Sequence, residues 1–138
     1  MCRFSKGDIM ADVKFWRCNH CGNLFYTIVD GGVTPQCCGE PMELLVADSV
    51  DAATEKHVPS IAWDGNHIEV NVGSVDHPMT PEHLIEWVAL VADNGDVTIK
   101  HLTPEDAPHV RFCGKNLEHG TVYAYCNLHG LWKAEVSK

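Results

Sequence analysis

The sequence has no long apolar run, and nothing in its 138 residues is hydrophobic enough over sufficient length to cross a bilayer. Met1 to Val13 carries Arg3, Lys6, Asp8 and Asp12 but no apolar stretch of the kind a secretion signal needs, so the expected location is the cytoplasm. Positive charge is scarce as well: 10 Lys and Arg stand against 19 Asp and Glu, a formal net charge of −9. That balance argues against nucleic acid or an anionic membrane as a main partner. It also means that an anionic substrate is repelled by the protein as a whole unless a local positive site draws it in. Internal repeats and low-complexity tracts are absent too.

What the sequence has in excess is metal-ligating side chains. Seven cysteines and nine histidines are many for a chain of this size, which is otherwise ordinary at 45% hydrophobic and 21% charged residues. In a reducing compartment, clustered cysteines bind metal more often than they form disulfides. Their distribution divides the chain into an expected N-terminal segment, residues 1–46, and a larger domain, residues 47–138.

Cys18-Asn19-His20-Cys21 is a C-x-x-C knuckle, followed after fifteen residues by the adjacent pair Cys37-Cys38. Two sulfurs from each end make a tetrahedral site suited to zinc or iron, and spacing alone leaves both open, with two disulfides as the plainer alternative. So small a segment has almost no core, and a metal staple is the expected source of its stability. Asn23 to Val29 is rich in β-formers and runs into the turn Asp30-Gly31-Gly32, which suggests a minimal β-module around the metal.

Beyond Ala47 the pattern is mostly strand. Ile68, Val70 and Val72 alternate with His67, Glu69 and Asn71, a period of two. Asp64-Gly65-Asn66 and Asp93-Asn94-Gly95-Asp96 read as hairpin turns, the second between Ile85–Ala92 and Val97–Leu102. Thr121–Cys126 and Leu131–Val136 supply two further strands, parted by Asn127-Leu128-His129-Gly130. Several short strands in about 90 residues predict an antiparallel sandwich of immunoglobulin-like size. One helical turn is predicted at Thr80-Pro81-Glu82, where Thr80 can cap and Pro81 suits the first helical position.

A second constellation is scattered through this domain: His57, then His77 and His83, then Cys126 and His129. Imidazole and thiolate together bind zinc, copper or iron. In the tight loop after Cys126, backbone N–H groups can point at its sulfur. His20, His67, His101, His109 and His119 read as surface or packed residues. Glu55-Lys56, taken alone, reads as an exposed loop pair.

Four blocks taken together resemble desulfoferrodoxin, the two-iron superoxide reductase family: Cys18 to Met42, Asp51 to Pro59, Gly73 to Trp87 and Tyr125 to Lys133. The resemblance covers nearly the whole chain from Phe15 onward. It implies that His57, His77, His83 and His129 are equatorial ligands of a catalytic iron and that Cys126 is the axial thiolate opposite an open position. Lys56 would stand by that open face, and Glu55 would be the carboxylate able to occupy it in the ferric state. Cys18, Cys21, Cys37 and Cys38 would hold a second iron, as in the desulforedoxin module. A β-sandwich, a homodimer and a rubredoxin-like electron donor are implied with them. An N-terminal extension and the additional cysteines Cys2 and Cys113 depart from the family pattern without touching a motif. An electron carrier and a zinc-stabilised binding module are the competing readings, and zinc, which cannot change oxidation state, would not support superoxide reduction.

Overall fold

The computed structural model describes residues 13–138, which divide into two compact units, one ending at Val46 and one spanning Ala47–Lys138. Cys2 lies outside the described residues.

The first unit has very little to bury. Strand β1 (Phe15–Arg17) is flanked by β2 (Leu24–Tyr26) and β5 (Glu43–Leu44), both antiparallel to it. A two-residue hairpin, β3 (Gln36–Cys37) with β4 (Glu40–Pro41), lies between β2 and β5 in sequence. Its buried cluster consists of Trp16, Cys18 and Met42, with Cys37 packed against them. Trp16 secures the outer hairpin by donating its indole N–H to Thr27 Oγ1 at 2.8 Å, and Lys14 pairs with Asp30 at 2.8 Å at the base of the following turn. A core of this size supplies little hydrophobic stabilisation, so the cysteines that form part of it are structural as well as chemical.

The second unit is a two-sheet antiparallel sandwich of seven strands. One sheet has the order β10 (His109–Cys113), β7 (His67–Val72), β6 (Pro59–Asp64). The other has the order β12 (Gly130–Ser137), β11 (His119–Cys126), β8 (Ile85–Ala92), β9 (Val97–His101). Alternation in β7 sends Ile68, Val70 and Val72 inward, where they meet Ile85, Val88 and Leu90 of β8 and Val122, Ala124 and Cys126 of β11. Each of the Ile, Val and Leu side chains removed from water contributes roughly 1.5–3 kcal/mol. Cys126 is thus a core residue whose sulfur lies at one end of the sandwich.

The hairpin after β6 closes on Gly65-Asn66, with Gly65 at φ +60°, and the β8–β9 hairpin turns at Gly95, φ +100°. The expected helical turn at Thr80–Glu82 does not form. Instead Thr80 and His83 bond to each other in both directions, N–H to carbonyl at 3.0 and 3.2 Å, and Thr80 Oγ1 accepts a further bond from the His83 N–H at 3.0 Å. A helix would have to send those groups along the chain, whereas this loop must close within a few residues to enter β8. The single helix among the described residues is α1 (Thr54–His57), one turn long and without a side-chain cap. β10, with only Val110 and Phe112 facing inward, is too short an alternation for the sequence pattern to single out.

Candidate metal centres

Five side chains from four separate segments converge at one end of the sandwich. His57 comes from α1, His77 and His83 from the loop before β8, Cys126 from the end of β11, and His129 from the turn into β12. Their ligand atoms all lie within 4.8 Å of one another. The four imidazoles form a closed square, each edge-on to the next. The ring centroids of the pairs 57–77, 77–83, 83–129 and 129–57 are 4.6, 4.6, 5.1 and 4.9 Å apart, at interplanar angles of 74° to 89°.

Local structure fixes which nitrogen each ring presents. His57 Nδ1 donates to the Ala53 carbonyl and His77 Nδ1 to the Pro78 carbonyl, both at 2.7 Å, which leaves Nε2 of each as a lone pair aimed at the centre. Those two Nε2 atoms are 3.2 Å apart, and His129 Nδ1 lies 3.1 Å from His57 Nε2. His83 Nε2 is buried and has no hydrogen-bond partner, alone in this among the described side-chain atoms.

Protons do not resolve this crowding. Burial, above all, depresses the pKa of His57 and of His83 and brings His77 down to about 4, so these three rings are neutral at ordinary pH. Inward lone pairs without protons repel one another, and a cation at their centre satisfies them, the orphaned His83 nitrogen included. The donor set therefore fits a metal ion.

Cys126 completes the set from within the core. A register irregularity between Tyr125 and Cys126 pairs Tyr125 with Trp87 but Cys126 with Ile85, skipping Glu86, and so re-aims the end of β11. Its sulfur lies 3.8 Å from His129 Nδ1 and accepts the His129 backbone N–H at 3.4 Å. Burial raises the thiol's pKa, while the N–H groups of Leu128 and His129 favour the thiolate, and a bound cation completes its ionisation.

Two residues that sequence reasoning did not assign to the site hold it in place. Trp132 stacks on His57, centroids 4.9 Å apart at 28°, and donates its indole N–H to the His129 carbonyl at 3.1 Å, so one side chain braces two imidazoles. Asn127 links the two loops: its Oδ1 accepts from Leu84 N–H at 3.0 Å and its Nδ2 donates to the Glu82 carbonyl at 2.9 Å. Both lie in the block Tyr125 to Lys133, where a buried tryptophan and a turn asparagine were the available signals.

Glu55 and Lys56 lie on α1 next to His57, with exposed side chains. The Lys56 charge is felt at both His57 and His83, where it helps to depress the pKa. His20, His67, His101 and His109 are exposed, and none of the five remaining histidines joins the cluster. His109 pairs with Glu69 at 2.9 Å and His119 with Glu135 at 3.4 Å. Cys113 is an exposed free thiol at the end of β10.

In the N-terminal unit the sulfurs of Cys18, Cys21, Cys37 and Cys38 form the second group. Cys21 and Cys37 sulfurs are 3.6 Å apart and those of Cys37 and Cys38 4.0 Å, well beyond a disulfide bond. The adjacent cysteines reach one centre because Cys38 has φ +55°, which turns its side chain back, with Gly39 following at φ +76°. The Cys21 N–H, above all, lowers the Cys18 thiol to about 6, whereas its sulfur neighbours, Cys21 first, push Cys38 up to about 12. The first thiolate forms readily and the last resists, as expected where negative charge accumulates on converging sulfurs. Four converging sulfurs fit iron or zinc.

Comparison with known proteins accounts for both groups. The family model described as desulfoferrodoxin matches residues 49–135, and that for the desulfoferrodoxin N-terminal domain matches residues 11–45. A desulfoferrodoxin of Clostridium acetobutylicum is 48% identical over 126 residues, covering 91% of this chain and 98% of that protein. A desulfoferrodoxin of Nitratidesulfovibrio vulgaris is 48% identical over 122 residues, covering 88% and 95%. Among solved structures, the superoxide reductase from Treponema pallidum superposes with a TM-score of 0.73 at 35% identity, over 89% of this chain and 98% of that one.

Proposed function

The chain belongs to the desulfoferrodoxin family, and from that premise we propose that it is a superoxide reductase with two iron sites. His57, His77, His83, His129 and Cys126 would hold one iron, and Cys18, Cys21, Cys37 and Cys38 the other. The observation that carries this reading is the convergence of four imidazoles and one buried cysteine on a point where His83 Nε2 has no other partner. Iron bound there would supply the single electron. Overall, superoxide takes up one electron and two protons and leaves as hydrogen peroxide.

The residues around that centre do the remaining work. Four neutral rings and one thiolate around a divalent ion leave one net positive charge, and Lys56 adds another. Together they make a local attractive field in a chain of net charge −9. Screening limits steering to charges within about 8–10 Å, so the final approach of the anion depends on groups as near as Lys56. The Lys56 ammonium, or water held by it, is the proton donor to the reduced oxygen. Glu55, on the same exposed turn, would be the carboxylate available to the iron. The Cys126 sulfur, held in the core by β11 and the His129 N–H, donates electron density from a fixed direction.

Several finer features complete the reading. Electrons come from a small redox protein of the rubredoxin type and enter near the four-cysteine site, where Cys21 and Cys38 are exposed. The chain works as a homodimer in the cytoplasm. Supporting a dimer, Ile28, Val29 and Val33 of the N-terminal unit are each about four-fifths exposed, an apolar surface that a second copy would cover. No helix among the described residues is long and apolar enough to cross a membrane.

The decisive experiment mixes pulse-generated superoxide with anaerobically reduced protein and quantifies iron and peroxide in the same sample. One peroxide per superoxide consumed, with about two irons per chain, is expected of four-cysteine and histidine–cysteine sites both filled. Half that peroxide yield would indicate dismutation, and zinc in place of iron would sink the proposal.

A further inference from the structure

The segment Gly73-Ser74-Val75 is not part of either ligand set, yet it is packed against the turn that carries Glu55, Lys56 and His57. The sequence of α1 explains why it is needed. Within the helix, the Glu55 carbonyl should accept from the N–H four residues on, but that residue is Pro59, which has none. The next nearest N–H, that of Val58, is already bonded to the Thr54 carbonyl at 2.9 Å. The Glu55 carbonyl is therefore left over at the C-terminal end of a one-turn helix.

The Gly73–Val75 segment satisfies it. Val75 N–H donates to the Glu55 carbonyl at 2.9 Å, and Ser74 Oγ lies 3.3 Å from the same oxygen. The approach is close enough to require glycine: a Cβ on residue 73 would stand 2.7 Å from the Glu55 carbonyl oxygen, 2.8 Å from that of Val58 and 3.1 Å from the Lys56 carbonyl carbon. All three are backbone atoms, which cannot swing aside as a flexible side chain would. The segment is itself braced. Asn71 Nδ2 donates to the Gly73 carbonyl at 2.8 Å and to Asp76 Oδ1 at 2.7 Å, and His77 N–H returns to the Val72 carbonyl at 2.8 Å. One turn thus seats the ligand His77 and grips the backbone that bears His57 and Lys56.

We propose that Gly73, with Val75 and the Asn71 brace, is a positioning element that fixes the backbone at Glu55 and thereby sets where the Lys56 ammonium stands relative to incoming superoxide. It rests on the role given above to Lys56. Without this grip, the short α1 relies on local bonds such as Lys56 to Ala53 at 3.2 Å, Val58 to Thr54 at 2.9 Å and the His57 ring to the Ala53 carbonyl at 2.7 Å to hold a side chain that must meet a small anion at a defined point.

The test is the second-order rate of superoxide consumption by the reduced full-length protein, measured for Gly73→Ala, Asn71→Ala, Lys56→Ala and the two double variants with Lys56→Ala. Iron content and the ferric absorption spectrum are recorded for each. Lys56→Ala is expected to slow the reaction about tenfold, and Gly73→Ala and Asn71→Ala about threefold or more with iron retained. In the Lys56→Ala background the same changes should have no further effect, because the element acts through Lys56. A merely structural role would instead slow both backgrounds by the same factor, and that result overturns the proposal. So does a wild-type rate in Asn71→Ala and Gly73→Ala while Lys56→Ala is slow. If Gly73→Ala cannot hold iron, Asn71→Ala decides alone. A wild-type rate in Lys56→Ala overturns the role of Lys56 itself, and the proposal with it.

Discussion

His57 Nε2 and His77 Nε2 face each other across 3.2 Å although each ring has already committed its Nδ1 proton to a backbone carbonyl, Ala53 in one case and Pro78 in the other. Neither nitrogen has a proton to offer the other. Held this way by the fold, the two lone pairs are a standing repulsion that only a cation relieves. Iron removal is therefore expected to lower the melting temperature of the second domain, and iron restored anaerobically should recover it. A metal ion held at about 100 times its dissociation constant stabilises by about 2.7 kcal/mol, a shift readily seen by calorimetry. An identical melting temperature with and without metal would contradict the assignment of these rings as ligands.

Acid should destabilise the metal-free protein in a defined window. The His77 pKa is depressed from the ordinary 6.5 to about 4, and His57 and His83 are depressed too. Between those two values the unfolded chain binds a proton that the folded ring refuses, so stability falls as pH drops from 6.5 towards 4 and is unpenalised above 6.5. Urea midpoints of the metal-free protein across pH 4–7 measure this. His77→Gln should flatten the slope, and an equal slope in that variant would show that the acid sensitivity lies elsewhere.

Cys38→Ser should empty the N-terminal site while leaving the sandwich site able to work. The variant loses one of four sulfurs at a centre where Cys38 alone adopts φ +55° to reach the others. Iron per chain is expected to fall from about two to about one. A single turnover of pre-reduced protein with superoxide should keep its rate. Loss of that turnover would mean the two sites are not independent.

Trp132 separates two ways of holding an imidazole. Trp132→Phe keeps a ring against His57 but leaves the His129 carbonyl without its 3.1 Å bond, at an expected cost of about 1–3 kcal/mol with iron retained. Trp132→Ala removes the stack as well and opens a cavity, at about 3–5 kcal/mol, with weakened iron binding. Guanidinium unfolding together with iron occupancy distinguishes them. Equal iron retention in both variants would show that the stack on His57 is dispensable.

The residues themselves, read in order, determined most of the chemistry. The C-x-x-C and C-C pairs, the period of two in His67 to Val72, and the Gly-containing turns at Gly65 and Gly95 all depend on near neighbours in the chain, so their meaning survives without a fold. The five-ligand site was different. Its members are up to 72 residues apart, as His57 and His129 are, and only family resemblance joined them in advance. Tertiary structure decided the rest. Whether Thr80–His83 became a helix depended on closing a loop into β8. Which nitrogen each ring turned inward depended on the Ala53 and Pro78 carbonyls. The need for glycine at 73 came from a backbone that approaches it from fifteen to eighteen residues earlier in the chain. Each of these is a packing or hydrogen-bond choice between segments that do not adjoin in sequence, and such choices leave no local pattern to read.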